Sequence, residues 1–150
     1  TRPMSSHQDA AAGTARWLGY LGLIPFAAGG ALALFGDEAA SGLGLRAVIA
    51  YGAVIVSFVG AIHWGLALAG GAPAGRLYVV SVLPSLVAWP ALLLDARTGL
   101  VLLIAAFVGI WLHERVSLWS TLFPPWFASL RTQLTSVAVI VLALLLTVAP

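Results

Sequence analysis

Residues 47–75 read AVIAYGAVIVSFVGAIHWGLALAGGAPAG and contain no Asp, Glu, Lys or Arg. A helix of about 20 mainly apolar residues crosses the roughly 30 Å hydrocarbon core of a bilayer, so this stretch is long enough to span a membrane. Four further stretches share this composition: residues 17–36, 77–94, 98–112 and 132–150. The pattern predicts an all-α fold, a polytopic membrane helix bundle with about five transmembrane helices.

The overall composition supports a membrane protein and excludes several other classes. Hydrophobic residues make up 61% of the chain and charged residues 8%, with a mean hydropathy of +1.05, whereas soluble domains are about 25% charged. The net charge of +2 comes from scattered arginines rather than a basic patch, which argues against nucleic-acid binding. The absence of Cys excludes disulfides, thiolate metal sites and cysteine nucleophiles.

The predicted organisation is a polar N-terminal tail, residues 1–16, followed by a single transmembrane helical domain, residues 17–150. Its predicted spans are residues 17–35, 47–69, 77–94, 100–112 and 132–150. The fourth span has only 15 uncharged residues even when Thr98 is included, or about 22 Å of helix, so a re-entrant or interfacial element is the alternative.

Residues 113–131 separate the last two spans and are too polar and proline-broken to cross a membrane. Their aromatic residues are typical of a segment in the headgroup region. We expect four of them to act as rigid anchors against a protein partner: Trp119, Phe123, Trp126 and Phe127.

The arginines predict an orientation. With five spans, the N-terminal side receives five arginines (Arg2, Arg16, Arg76, Arg115 and Arg131), and the opposite side receives Arg46 and Arg97. Positive charge accumulates on the cytoplasmic side. The N-terminus is therefore predicted to face the cytoplasm of a bacterial inner membrane, or the matrix if the membrane is the mitochondrial inner membrane.

His63 is the ionisable residue, other than tyrosines, that falls inside a predicted span. Its imidazole could donate to a quinone carbonyl, relay a proton, or ligate a metal or haem. Such roles need a charged or histidine partner, which no other predicted span supplies, so a structural or interfacial role beside Trp64 is favoured. His7, His63 and His113 are far apart in sequence, and no metal site is expected.

Small residues recur every four positions in the second span, at Ala53, Ser57, Ala61 and Gly65. Such a stripe allows close helix–helix packing in a membrane, so we expect this span to be central. Pro25, Pro84 and Pro90 predict kinks in the first and third spans. No phosphate-binding loop, HExxH, GxSxG or carboxylate pair within a span indicates catalysis, and a non-enzymatic protein is predicted.

Several motifs resemble those of a known family. They are LGYLGLIPF at residues 18–26, YGAVIVSFVGAIHWG at 51–65, PSLVAW at 84–89, and Trp126 followed by Leu130-Arg131 and Leu134-Thr135. They are similar to the uncharacterised bacterial and mitochondrial integral membrane family that includes transmembrane protein sixty-nine. The resemblance implies a compact bundle of about five helices and brings no catalytic or ligand-binding residues.

Three functions are compatible with this reading. The first is a non-catalytic accessory, scaffold or assembly subunit of a larger inner-membrane complex, in respiratory or photosynthetic electron transfer. The second is a homo-oligomeric transporter or channel with His63 lining the path. The third is a quinone- or lipid-binding protein that uses His63 and Trp64. No intrinsic cofactor is expected beyond a bound lipid or quinone, and the expected partners are the bilayer and a larger membrane complex.

Overall fold

A computed structural model describes residues 6–70, 74–119 and 122–150, and within these ranges the fold is all-helical with no strand. The helices are α1 (Ser6–Leu21), α2 (Ile24–Phe35), α3 (Glu38–Leu68), α4 (Ala74–Ala91), α5 (Ala96–Ser117) and α6 (Pro125–Leu145). Four segments of the described chain are long and apolar enough to cross a membrane: Ala10–Phe35, Glu38–Leu68, Ala96–Ser117 and Pro125–Leu145. With α4 as a fifth, shorter helix, this confirms the predicted membrane helix bundle.

Helix α3 is the centre of the bundle, as the sequence predicts, because it packs against α2, α4, α5 and α6. From α2 onward, successive helices run antiparallel. Trp64 near the end of α3 contacts Tyr78 near the start of α4, and Trp111 in α5 donates a hydrogen bond to Thr132 in α6. Helices α3 and α5 finish at the end of the bundle at which α4 and α6 begin. We call this end the amino end.

Aspartate caps extend two helices beyond the predicted spans. The Asp37 carboxylate accepts a hydrogen bond from the backbone N–H of Ala40 at 2.9 Å, so α3 begins at Glu38 rather than at residue 47. Asp95 accepts from the N–H of Thr98 at 3.0 Å, and this bond lowers the pKa of Asp95. Helix α5 therefore has 22 residues, or about 33 Å, and needs no re-entrant geometry.

The predicted first span is a broken helix. Pro25 has no N–H to bond the carbonyl of Leu21 and its ring crowds that carbonyl, so α1 ends there and α2 restarts at Ile24. The Tyr51 hydroxyl in α3 donates to the carbonyl of Gly22 in this break at 2.9 Å. The predicted polar tail also differs: its residues 6–16 are helical, while residues 1–5 lie outside the described chain.

The aromatic segment packs partly against its own chain, and its role as a partner-binding surface stays a prediction. Helix α6 begins at Pro125, seven residues earlier than predicted, and only a short connection separates it from α5. Phe123 is buried in a small core with Ala67, Leu77 and Leu118, and Trp119 and Phe127 pack against this core. Trp126 lies beneath the guanidinium of Arg16. Phe123 is therefore unavailable as an anchor, whereas Trp119, Trp126 and Phe127 stay half-buried.

The predicted small-residue stripe is only half correct. Ala53 is buried, Ser57 is half-buried and bonds the carbonyl of Ala53, but Ala61 and Gly65 are exposed. A Cβ added at Gly65 would meet nothing within 4 Å. A four-residue step exceeds one helical turn by about 40°, so the stripe rotates off the packed face within three steps.

Three other glycines of α3 make its close contacts. A Cβ at Gly44 would lie 2.6 Å from backbone atoms of α2, a Cβ at Gly60 would lie 2.6 Å from the Ser81 carbonyl of α4, and one at Gly52 would meet Leu103 of α5 at 3.1 Å. These glycines are eight residues apart, so each is rotated by about 80° from the last. Successive glycines of α3 therefore face different neighbours.

We predict that Gly44→Ala destabilises the bundle by about 1–3 kcal/mol, because the new methyl group would overlap backbone that cannot move aside. The matched control is Gly65→Ala in the same helix, which should leave stability unchanged or raise it by up to about 1 kcal/mol through helix propensity. Thermal unfolding in mild detergent, followed by circular dichroism, measures both. Equal melting temperatures for the two variants would contradict the proposed α2–α3 contact.

Candidate functional site

Polar side chains from three helices meet inside the amino end of the bundle. They are His63 of α3, Glu114 of α5, and Arg131 and Thr135 of α6, with exposed fractions of 0%, 0%, 5% and 6%. Within the described chain, Glu114 and Arg131 are the buried residues that carry a formal charge. Ionisable groups in a membrane interior are costly and commonly functional, so this group is the candidate site.

The centre of the site is an ion pair between α5 and α6. The Arg131 Nε donates a hydrogen bond to Glu114 Oε2 at 3.0 Å. Its Nη2 lies 2.9 Å from the same oxygen, although without hydrogen-bond geometry. The third guanidinium nitrogen, Nη1, donates to the Thr135 hydroxyl at 3.4 Å. The pair keeps two charges close together where lipid and protein exclude water.

His63 faces this ion pair from α3. Its Nδ1 lies 3.3 Å from the carbonyl oxygen of Gly60, to which it can only donate. Its Nε2 lies 4.0 Å from Glu114 Oε1, too far for a hydrogen bond. Neither His63 Nε2 nor Glu114 Oε1 has a hydrogen-bond partner among the described residues. A charged residue, Glu114, therefore lies beside His63, although the sequence predicts no charged partner from another span.

The other histidine and aromatic candidates have separate positions. His113 lies next to His63, with ring centroids 5.6 Å apart, although the two residues are far apart in sequence. The described residues contain no group of three or more His, Cys, Asp or Glu able to hold a metal; the side chain of His7 lies outside them. Trp64 is 47% exposed and stacks edge-on against Tyr78, outside the ion-pair site.

Sequence reasoning missed Glu114 and Arg131 because it treated every charged residue as the end of a span. A usable signal was present in the helical spacing. Glu114 continues the buried face of α5 through Leu103, Phe107 and Ile110. Arg131 belongs to a similar series on the buried face of α6, which comprises Ala128, Arg131, Thr135, Ala138 and Leu142. Spacings of three and four residues place both charges on core-facing stripes.

A cavity of about 480 Å³ adjoins the ion pair. Arg131 and Thr135 form its polar end, and the rest of its wall is mainly apolar, with residues from α1, α2, α3, α5 and α6. Leu18 of α1 and Phe58 of α3 also line it, yet they are 64% and 67% exposed. The cavity is therefore open at the side of the bundle, between α1 and α3.

A second, smaller cavity of about 310 Å³ lies between α4 and α5. It is lined by apolar side chains around Pro84, with His113 at its edge. The Nε2 atom of His113 is buried without a hydrogen-bond partner in the described chain, but the residue as a whole is only half-buried. The larger cavity, which reaches two buried polar side chains, is the stronger candidate.

We predict that Arg131→Met lowers the free energy of unfolding by about 3–5 kcal/mol, because it leaves the Glu114 carboxylate buried without its counter-charge. The double variant Glu114→Leu/Arg131→Met should recover most of this loss, since no charge then remains buried. The exposed Arg97→Met is the control and should change stability by less than about 0.5 kcal/mol. Unfolding in detergent measures all three, and a double variant no more stable than Arg131→Met would contradict the pairing.

Comparisons with known proteins agree with this architecture. The family model described as "Protein of unknown function (DUF3429)" matches residues 11–147. Transmembrane protein 69 of Xenopus tropicalis is 39% identical over 133 residues, which cover 83% of this chain and 50% of the relative. Transmembrane protein 69 of Mus musculus is 36% identical over 124 residues, which cover 79% and 49%.

The chain thus spans about half the length of the curated relatives that it matches. No solved structure matches it. The matches confirm the family resemblance seen in the sequence motifs, and the apolar helices show a multi-pass protein in a lipid bilayer. The chain belongs to the DUF3429 family of integral membrane proteins.

Proposed function

We propose that this protein binds a lipid-soluble ligand in the cavity between α1, α3 and α6 and does not transform it. The observation that carries this proposal is an apolar cavity of about 480 Å³ that ends at the buried side chains of Arg131 and Thr135. Ligand pockets in proteins have volumes of about 300–1,000 Å³ and combine apolar walls with a few polar groups. The cavity has this size and this distribution of polarity.

The position of the opening supports a ligand that comes from the membrane. Leu18 and Phe58, at the open side, belong to helix segments that are long and apolar enough to lie in hydrocarbon. A molecule with an apolar tail can place the tail at this opening and its polar end against Arg131. An amphiphile therefore fits the cavity better than a water-soluble substrate.

The distribution of reactive groups supports binding without catalysis. A general acid or base must lie within hydrogen-bond reach of its substrate. Glu114 and His63 are fully buried and are not among the residues that line the cavity. Arg131 and Thr135 do line it, and neither is an effective proton acceptor at neutral pH. We therefore propose a non-enzymatic role with no intrinsic cofactor.

The alternative functions have less support from the fold. A transporter that uses His63 needs a polar path to that imidazole, whereas the cavity is mainly apolar and does not include it. An accessory role in a respiratory or photosynthetic complex stays a prediction. Of its predicted anchors, Phe123 is buried, and contacts within the chain leave Trp119, Trp126 and Phe127 half-buried, so they offer a partner less surface than the sequence predicts.

We also propose the bacterial inner membrane, or the mitochondrial inner membrane in a eukaryote, with the N-terminus in the cytoplasm or matrix. Arg131 is inside the bundle and no longer belongs among the loop arginines. The asymmetry persists without it, because the five-span topology predicts four arginines on one side, Arg2, Arg16, Arg76 and Arg115, against Arg46 and Arg97 on the other.

We predict that Leu134→Trp reduces the amount of lipid-soluble material that co-purifies with the protein by at least about tenfold, because a half-buried wall residue is replaced by a side chain that fills the cavity. Mass spectrometry of an organic extract from the protein, purified in mild detergent, measures the bound material. The matched control is Leu144→Trp, a substitution in the same helix at an exposed position outside the cavity lining.

The control protein should retain the same compounds as the wild type, at the same ratio to protein. Both variants must first show an unchanged helical circular-dichroism spectrum and a monodisperse elution profile. If the wild type carries no compound in a fixed ratio, or if Leu134→Trp retains as much as Leu144→Trp, the cavity is not a ligand site.

A further inference from the structure

We infer that the ligand presents a neutral carbonyl oxygen to Arg131 and Thr135, on a flat ring with a hydrocarbon tail, which is the chemistry of an isoprenoid quinone. This inference rests on the proposed function and names the class of molecule that the same cavity selects. Its three parts are the charge of the polar end, the hydrogen-bond donors there, and the shape of the apolar wall.

The charges at the polar end favour a neutral head group. Arg131 is matched by Glu114 through contacts of 2.9 and 3.0 Å, so the pair has no net charge. An added anion would be buried near the Glu114 carboxylate without a counter-charge of its own, and an added cation would face the guanidinium. Burial of an unpaired charge is strongly unfavourable, so phosphate-bearing and ammonium-bearing heads are disfavoured.

The donors at the polar end favour a carbonyl oxygen. Arg131 Nη1 carries two N–H groups, and its bond to Thr135 is long, at 3.4 Å. The Thr135 hydroxyl accepts that bond, which leaves its proton able to donate. Arg131 and Thr135 are four residues apart in α6 and so lie side by side on one helix face. A carbonyl oxygen has two lone pairs and can accept from both.

The apolar wall favours a planar group beyond the carbonyl. Five aromatic residues line the cavity: Phe26, Tyr51, Phe58, Phe107 and Phe127. The ring of Phe26 meets Tyr51 and Phe107 edge-on, with centroids 5.1 and 6.2 Å apart, so these three rings support one another. Aromatic walls contact a flat ring over a large area at little entropic cost. The opening beside Leu18 then leaves room for a tail in the lipid.

The test is binding of decylubiquinone, a quinone with a ten-carbon tail, to the purified protein in detergent. Its addition should raise the melting temperature in a saturable manner. Thr135→Val keeps the shape but removes the hydroxyl and should raise the dissociation constant by about five- to tenfold, as expected for one lost hydrogen bond. Thr135→Ser should bind like the wild type. The matched control Thr147→Val, at an exposed threonine outside the cavity, should also bind normally.

Three further probes on the wild type make the result independent of the variants. Decylbenzene, which has the ring and tail without the carbonyl, should bind at least about tenfold more weakly than decylubiquinone. Phosphatidylglycerol should also bind more weakly, because of its charge. Diacylglycerol is a neutral lipid whose ester carbonyls can also accept hydrogen bonds from Arg131 and Thr135. If it binds more tightly than decylubiquinone, the ligand is a glycerolipid rather than a quinone.

Equal affinity for decylbenzene and decylubiquinone, or no loss of affinity in Thr135→Val, would overturn the carbonyl assignment. These results are distinguishable from failure of the proposed function. If wild-type protein retains a compound that Leu134→Trp loses, but decylubiquinone does not bind, the cavity is a ligand site for a different class. If no compound is retained and no probe binds, the proposed function fails as well.

Discussion

The ion pair between Glu114 and Arg131 is the constraint on which the amino end of this bundle depends. A carboxylate and a guanidinium that are 0% and 5% exposed can persist inside the bundle only while they lie against each other. Their contact sets the register of α5 against α6, since a shift by one residue would turn either side chain away from its partner. That register also places His63, Thr135 and the end of the cavity next to the pair.

Close backbone contact holds α3 against its neighbours, as the ion pair holds α5 against α6. Lipid provides little hydrophobic incentive for helices to associate, so tight packing must hold them together. Gly44 and Gly60 bring α3 against the backbones of α2 and α4, and α3 carries His63 on the side that faces α5. On the amino-terminal side of the break after Leu21, α1 packs on α6, and the cavity lies between α1, α3 and α6.

The site combines a buried ion pair with an adjoining, mainly apolar cavity. A paired charge that is shielded on all sides would only orient helices, and an apolar cavity without polar groups would only reduce packing density. Here the guanidinium of Arg131 belongs to both, because it bonds Glu114 on one side and lines the cavity on the other. In the proposed function, the same residue links the stability of the bundle to recognition of a ligand.

The sequence by itself determined the fold class, the membrane setting, the family and the kink at Pro25, because these follow from composition, from the length of uncharged stretches and from local motifs. It also contained Asp37 and Asp95, which extend α3 and α5, but from the sequence alone each charged residue is taken as the end of a span. Only the tertiary structure decided which residues meet. Glu114, Arg131 and His63 come from three helices, and the partner of a buried charge is set by helix register rather than by spacing along the chain. For the same reason, only helix rotation decided that Gly44 and Gly60 pack while Gly65 does not.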